Sequence, residues 1–359
     1  MRPENISRTK RIAFVFGAAA VALAAGAAGA ALIVDSVTGS LAVSLSSGIA
    51  STSSRTVAPL AATKVAQAAK GSLILYKNKI AAAALDKVFL PADAVGGGVV
   101  LTSDGWIIVS SAAVRGSDQL TAVFGDKTTA LVDPSKAVSD DATGLAFIKT
   151  DGRDPSVASF GDDSTLSPAD SVFSLSPDAI VSAAVISART LPAQTKTDYV
   201  ESTERLGRRI VIDHSGLAGS PEVNASGEVV GVDMGDGTVV PASFATEILR
   251  ELFKSGKVAR PVFGAHFVGL DDLPNAREAG LAASGALITG GGKYRATEKG
   301  SAAEAAGLKE GDVITFVEHD RITGEVPLPE RLQDYAPGAK VELTVVRAGK
   351  EIKLSLTLK

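Results

Sequence analysis

Any imidazole chemistry in this chain must run through His214, His266 or His319, the three histidines among 359 residues. Cysteine is absent, which excludes disulfides, thiolate nucleophiles and every cysteine-ligated metal. The contiguous set Asp213-His214-Ser215 holds a carboxylate, an imidazole and a hydroxyl, the three groups of a serine-hydrolase relay. Contiguity argues against that use, because adjacent residues of an extended segment point to opposite faces. Ser110, Ser111 and Ser220 offer further hydroxyls, yet each would need a base, and His214 is the only histidine in the N-terminal β region. They read as loop hydroxyls that satisfy backbone groups. His266 and His319 fall in the C-terminal part, one on its first strand and one in a turn. With no second histidine at ligand spacing, neither points to a metal, and no cofactor is expected. The runs Gly96–Gly98 and Gly290–Gly292 lack the Lys-Ser/Thr of a phosphate loop and read as turns.

The elements that must position these residues are short. Apolar runs at Leu73–Tyr76, Gly98–Leu101, Trp106–Ser110, Leu120–Phe124 and Leu145–Lys149 are separated by Gly, Asp and Pro. The rhythm continues through Ser171–Leu175, Ala179–Ile186, Arg209–Ile212, Val229–Asp233 and Thr238–Pro241, which predicts an all-β barrel or sandwich. A short helix is expected over Ala61–Ala69. A longer one over Ser243–Ser255 carries Phe244, Ile248, Leu249 and Leu252 on one face and closes the β region. After Arg260 come a strand, a helix near Ala302–Ala306, a turn at Gly307–Gly311 and strands at Val313–Val317, Lys340–Arg347 and Glu351–Leu358. That order predicts a second, smaller α+β module.

Charge and the N-terminus bound the setting. Thirty-six Lys plus Arg against 40 Asp plus Glu leave a net charge of -4, so no basic field exists for nucleic acid. Arg2, Arg8, Lys10 and Arg11 precede an uncharged run, Ile12–Val34, of a length that crosses a bilayer as a helix. The reading is a cytoplasmic stretch 1–11, a single-pass anchor 12–34, a Ser/Thr/Ala/Gly-rich flexible linker 35–58 and an extracytoplasmic remainder. A cleaved signal peptide is the alternative, with Ala28-Gly29-Ala30 at the cleavage spacing. Either reading exports the rest.

Four segments, in order, carry a family resemblance. Gly96-Gly97-Gly98-Val99-Val100-Leu101-Thr102-Ser103-Asp104-Gly105-Trp106 resembles the start of the protease domain in the HtrA (high-temperature-requirement) family. Thr143-Gly144-Leu145-Ala146-Phe147-Ile148-Lys149 is similar to that family's Thr-Asp-Leu-Ala-Val-Leu-Lys strand. Gly216-Leu217-Ala218-Gly219-Ser220-Pro221 is similar to its Gly-Asn-Ser-Gly-Gly-Pro nucleophile loop. Gly300–Ile314 resembles the PDZ signature. The resemblance implies a mainly β chain: a trypsin-like double β-barrel of two six-stranded barrels over 59–258, then an α+β PDZ domain over 259–359, behind one N-terminal transmembrane helix.

The histidine of the family's Asn-His-Val-Val run falls on Ala112, between Ser111 and Ala113, and on the motifs above the aspartate falls on Gly144 and the nucleophilic serine on Ala218. Base, orienter and nucleophile are all missing, so the resemblance implies a pseudoprotease rather than an enzyme. Leu217 and Ser220 depart from the loop pattern as well. Binding survives such losses: the backbone N–H groups of Gly216 and Ala218 match the family's oxyanion donors. Val262-Phe263-Gly264-Ala265 matches its peptide-carboxylate loop, implying recognition of peptides, protein C-termini or unfolded exported proteins. The resemblance further implies homo- or hetero-trimers with HtrA-type proteins. Two rival functions remain open at this point, a regulatory subunit of an active HtrA-type oligomer and a serine endopeptidase using unrecognised residues.

Overall fold

Short apolar runs bounded by turn residues form strands when each can bury one face against a neighbour. The computed structural model describes residues 59–77, 88–151, 155–187, 199–246, 248–273, 275–278 and 280–359. The segments read as cytoplasmic, anchor and linker, 1–58, lie outside the described residues. No helix among the described residues is long and apolar enough to cross a membrane.

Helix α1 (Pro59–Ala68) precedes the first sheet. That sheet comprises β1 (Ser72–Lys77), β2 (Ala94–Val100), β3 (Trp106–Ser110), β4 (Leu120–Phe124), β5 (Thr129–Val132), β6 (Val138–Asp140) and β7 (Leu145–Lys149). The strands lie in the order β5-β4-β1-β2-β3-β7-β6, and a four-residue helix α2 (Ser111–Val114) follows β3. Seven strands stand where six were expected. The extra one arises at Asp133-Pro134: Asp133 accepts the Ser135 N–H, the 3-10 turn Pro134–Lys136 breaks the run, and β5 and β6 go to opposite edges. Leu73, Leu75, Ile107, Val109, Leu120 and Ile148 fill the core of this body. Complete burial of each such side chain contributes on the order of 1.5–3 kcal/mol.

The second body is a closed six-stranded barrel in the order β11-β14-β13-β12-β8-β9. Its strands are β8 (Ser171–Ser176), β9 (Ala179–Ser187), β11 (Ile210–Ile212), β12 (Pro221–Val223), β13 (Val229–Asp233) and β14 (Thr238–Pro241), around Val172, Val185, Ile212, Val230 and Val239. Between β9 and β11 lies β10 (Glu201–Ser202), which does not join this barrel. The single helix expected over Ser243–Ser255 divides into α3 (Ala242–Thr246) and α4 (Leu249–Ser255). The Thr246 hydroxyl, at the end of α3, donates back to the Ser243 carbonyl at 3.1 Å. Phe244, Ile248 and Leu252 are buried as the periodicity requires.

The C-terminal sheet contains β15 (His266–Gly269), β16 (Ala286–Ile288), β17 (Val313–Val317), β18 (Asp320–Arg321), β19 (Lys340–Arg347) and β20 (Lys350–Thr357). Helices α5 (Ala302–Ala305) and α6 (Leu328–Gln333) flank it, and Phe263, Phe267, Ile288, Ile314, Leu328 and Leu343 share its core. Its order begins β10-β15-β16, so the edge strand comes from far upstream in the chain. Val65–Lys359 make one compact unit.

Gly96–Gly98 are not a turn; they lie within β2. A Cβ at Gly96 would come to 2.8 Å from the Ala113 Cβ and 2.9 Å from the Ala218 carbonyl oxygen, and one at Gly97 to 2.8 Å from the Ser220 nitrogen. The glycines allow a strand to run directly against the loop that follows Gly216.

Candidate functional site

The positions expected to carry a triad converge. Ser110 caps α2, its Oγ accepting the Ala112 N–H at 3.3 Å, and Ala112 is exposed on that helix. The next contact joins the second position to the first: the Ser111 N–H donates to the Gly144 carbonyl at 2.9 Å, and the Ser111 Oγ donates to the Leu145 carbonyl at 2.8 Å. Gly144 sits at φ +84°, where a Cβ would meet the Met234 Cε at 3.3 Å. Met234 and Gly235 lead to the third position, since a Cβ on Gly235 would lie 3.1 Å from the Ala218 Cβ. The Gly97 N–H donates to the Ala218 carbonyl at 2.8 Å. Ala112, Gly144 and Ala218 are thus linked through neighbouring residues, and none of the three carries a side chain that can transfer a proton.

Asp213, His214 and Ser215 do not form a relay. The Asp213 carboxylate accepts the Ala184 N–H of the adjoining strand β9 at 2.6 Å, and His214 is exposed. Among the described residues no group of three or more His, Asp or Glu is arranged to hold a metal.

The two backbone donors expected for an oxyanion are the N–H groups of Gly216 and Ala218. Gly216 is not free, because its N–H is held by the Asp233 Oδ2. Asp233 holds this loop at two further points, its carbonyl accepting the Gly219 N–H at 2.7 Å and its own N–H donating to the Ser220 carbonyl at 2.9 Å, while Oδ1 accepts the nearby Gly235 N–H at 2.7 Å. A carboxylate thus occupies the Gly216 N–H, one of the two donors expected for an oxyanion. Beneath it, in β12, Glu222 is 1% exposed. Neither Glu222 oxygen has a hydrogen-bond partner among the described residues, nor does the Ser220 Oγ.

Burial pushes the Glu222 carboxyl well above its ordinary range, and the neighbouring Asp233 charge adds to the rise; burial raises Asp233 too. The folded state therefore favours the protonated Glu222. Its stabilising contribution is complete below the ordinary carboxyl pKa of 4.5 and is lost as pH climbs through the raised folded-state value. Glu222→Gln should keep the shape and remove that dependence. Thermal melts from pH 4 upward should show the wild type losing more Tm than the variant, with the variant the more stable at the alkaline end. Parallel curves for the two proteins would refute the assignment.

The carboxylate loop matched to Val262–Ala265 has all four N–H groups engaged within the chain. Val262 exchanges backbone hydrogen bonds with the C-terminal Lys359, its N–H donating at 2.8 Å. The Phe263 and Gly264 N–H groups converge on one oxygen, the Glu204 Oε1, at 3.1 and 2.7 Å. The Ala265 N–H donates to the Thr203 Oγ1 at 3.0 Å. Asp233, Glu222, Thr203 and Glu204 escaped the sequence reading. The sequence signals for them are an acidic residue between Pro221 and Val223, another at the end of Val229–Asp233, and a polar stretch, Glu201–Glu204, that reads as loop.

A PDZ-domain family model matches residues 261–358. A probable periplasmic serine endoprotease, DegP-like, from Pseudomonas savastanoi pv. phaseolicola is 30% identical over 282 residues, covering 74% of this chain and 55% of that protein. The chain belongs to the HtrA-type serine protease family with a PDZ domain. It spans about half the length of the DegP-like relatives, and 68% of a Do-like HtrA serine protease of Lactobacillus helveticus that is 27% identical over 73% of this chain. Among solved structures, an HtrA-type protease AlgW with decapeptide superposes with a TM-score of 0.58 at 20% identity, covering 83% of this chain and 98% of that one. A serine endoprotease from Yersinia pestis gives 0.50 at 17% identity, covering 87% and 99%. At these identities the structural likeness establishes the fold: a mainly β, trypsin-like HtrA body followed by a PDZ domain.

Proposed function

We propose that this HtrA-type chain is a membrane-anchored, extracytoplasmic pseudoprotease that recognises peptides or protein C-termini through its PDZ domain, in scaffolding or protein quality control. The observation that carries the proposal is the convergence of the Phe263 and Gly264 N–H groups on a single carboxylate oxygen. Two adjacent backbone donors aimed at one anionic oxygen are what a peptide's terminal carboxylate requires. Ala112, Gly144 and Ala218, with the Asp233 carboxylate on the Gly216 N–H, support a role without hydrolysis. Export is supported by the N-terminal apolar run and by the periplasmic naming of the curated relatives. Assembly with itself or with active HtrA-type chains as trimers belongs to the same proposal, and native mass spectrometry with such a relative tests it.

The test of recognition is binding of a fluorescent decapeptide with an apolar last residue to the detergent-solubilised full chain. Amidating the terminal carboxylate should weaken binding by about 10-fold or more, the worth of hydrogen bonds to a charged acceptor. The same preparation should leave casein intact. The curated relatives are named as serine endoproteases, and casein cleavage that persists through purification and vanishes with Ser215→Ala would establish that activity here instead.

A further inference from the structure

The groove that would receive such a peptide already holds part of this chain. In β-addition a ligand lies antiparallel beside an exposed strand and ends with its carboxylate on backbone N–H groups. Here β10 lies antiparallel to β15, pairing Glu201 with Phe267 and Ser202 with His266. The run continues beyond β10: the Thr203 N–H donates to the Ala265 carbonyl at 3.0 Å, and its hydroxyl accepts the Ala265 N–H. One residue later comes the carboxylate, whose Oε1 takes the Phe263 and Gly264 N–H groups. Its Oε2 accepts the Ser202 hydroxyl at 2.9 Å, and the Thr203 hydroxyl stands 2.9 Å from Oε1. An internal segment has no terminal carboxylate to offer. Glu204 supplies one from its side chain, and the backbone then turns away, the Arg205 N–H reaching back to the Ser202 carbonyl at 3.2 Å.

The segment is fastened at both ends. Upstream, Val200 packs where a Cβ on Gly291 would lie, 3.0 Å from the Val200 Cγ2. Downstream, Leu206 is buried, with its N–H on the Ala142 carbonyl at 3.1 Å. Arg208 binds Glu330 of α6 at 3.1 Å and Asp163 at 3.2 Å, and stacks over the Phe244 ring at 4.9 Å. A tether of this kind presents Glu204 to the loop at a high effective concentration.

We infer that residues 200–204 are an internal pseudo-ligand of the PDZ groove, which an extended peptide with a free C-terminal carboxylate must displace in order to bind. The inference rests on the peptide-recognition reading above and adds its regulation: apparent affinity is reduced by the fraction of molecules whose groove is open. The experiment measures the same acid and amide decapeptides against the full chain and its Glu204→Gln variant. Glutamine keeps the size of the side chain and removes the anionic acceptor. The acid peptide should bind the variant at least about 10-fold more tightly than it binds the wild type, with the amide weak on both. Hydrogen exchange supplies a readout in the unaltered protein, where without peptide the Phe263 and Gly264 amides should be protected, and in folded Glu204→Gln they should exchange about 10-fold faster or more. Equal acid affinities for the two proteins, with the preference over amide retained, would overturn the pseudo-ligand while leaving peptide recognition intact. Unprotected Phe263 and Gly264 amides in the wild type would overturn it as well. Loss of any preference for acid over amide in both proteins would overturn the recognition reading itself, and this inference with it.

Discussion

Arg260→Ala is expected to destabilise the folded chain by about 3–5 kcal/mol, the loss associated with leaving a buried charge without its partner. Arg260 meets Asp140 at the end of β6 through two bonds, Nε to Oδ1 at 2.9 Å and Nη2 to Oδ2 at 2.8 Å. The two side chains are only 10% and 2% exposed. The same guanidinium reaches the Phe244 carbonyl in α3 at 3.0 Å and the Gln333 Oε1 in α6 at 2.9 Å, so one residue joins the first sheet, the helix after the barrel and the PDZ domain. Alanine leaves Asp140 with the Thr143 hydroxyl at 2.7 Å and the Ala142 N–H at 3.3 Å but without its ion-pair partner. Lysine restores the charge but not the planar fork and should recover only part of the loss. The double change Asp140→Leu with Arg260→Met should recover most of it, because removing both charges also removes their desolvation. Arg115 with Asp141 is the control: that pair is 77% and 92% exposed at 4.0 Å, and Arg115→Ala should shift stability by less than about 1 kcal/mol. Urea titrations in which Arg260→Ala and Arg115→Ala fall together would show that the buried pair has no special weight.

That contrast also explains what could be read from residues alone. Trp106–Ser110, Leu120–Phe124, Leu145–Lys149, Val229–Asp233, Thr238–Pro241, Val313–Val317 and Lys340–Arg347 were legible as strands to the residue, because each is an apolar run ended by a turn. Val138–Asp140, Pro221–Val223 and Glu201–Ser202 were not, since two or three residues with acidic members acquire strand character only from partners far along the chain. Glycine was misread at Gly96–Gly98 for a related reason: a turn and a close backbone approach ask for the same residue, and only the neighbour across the gap distinguishes them. Motif order leads to positions 112, 144 and 218 as an expectation. The groups engaged with the segments at Gly216 and Val262–Ala265 are not legible there, because Asp233 reaches Gly216 across 17 residues and Glu204 reaches Gly264 across 60. No local periodicity encodes such contacts.

The largest change in chemistry is expected from rebuilding the proton relay, and the geometry sets its order. Ala112→His, Gly144→Asp or Ala218→Ser alone should yield no turnover, since base, orienter and nucleophile act as a unit. The triple variant has the framework it needs, because the Ser111 N–H bond to the Gly144 carbonyl already holds the first two positions together and Ala112 is exposed. Two obstacles remain. Aspartate at 144 must adopt φ +84° with its Cβ about 3.3 Å from the Met234 Cε, a conformation that Asp tolerates better than most residues but at some strain. The Gly216 N–H, bound to Asp233, cannot serve an oxyanion, and the loss of one such donor costs about 100- to 1,000-fold in rate. The triple variant should therefore react only faintly with a fluorophosphonate probe. Adding Asp233→Ala should raise labelling by about 100-fold or more, provided melting curves show both proteins folded. Robust proteolysis by Ala218→Ser alone would reveal a base outside the expected positions and end the pseudoprotease reading. Equal labelling of the triple and quadruple variants would mean that Asp233, despite holding the oxyanion donor, is not what silences the rebuilt site.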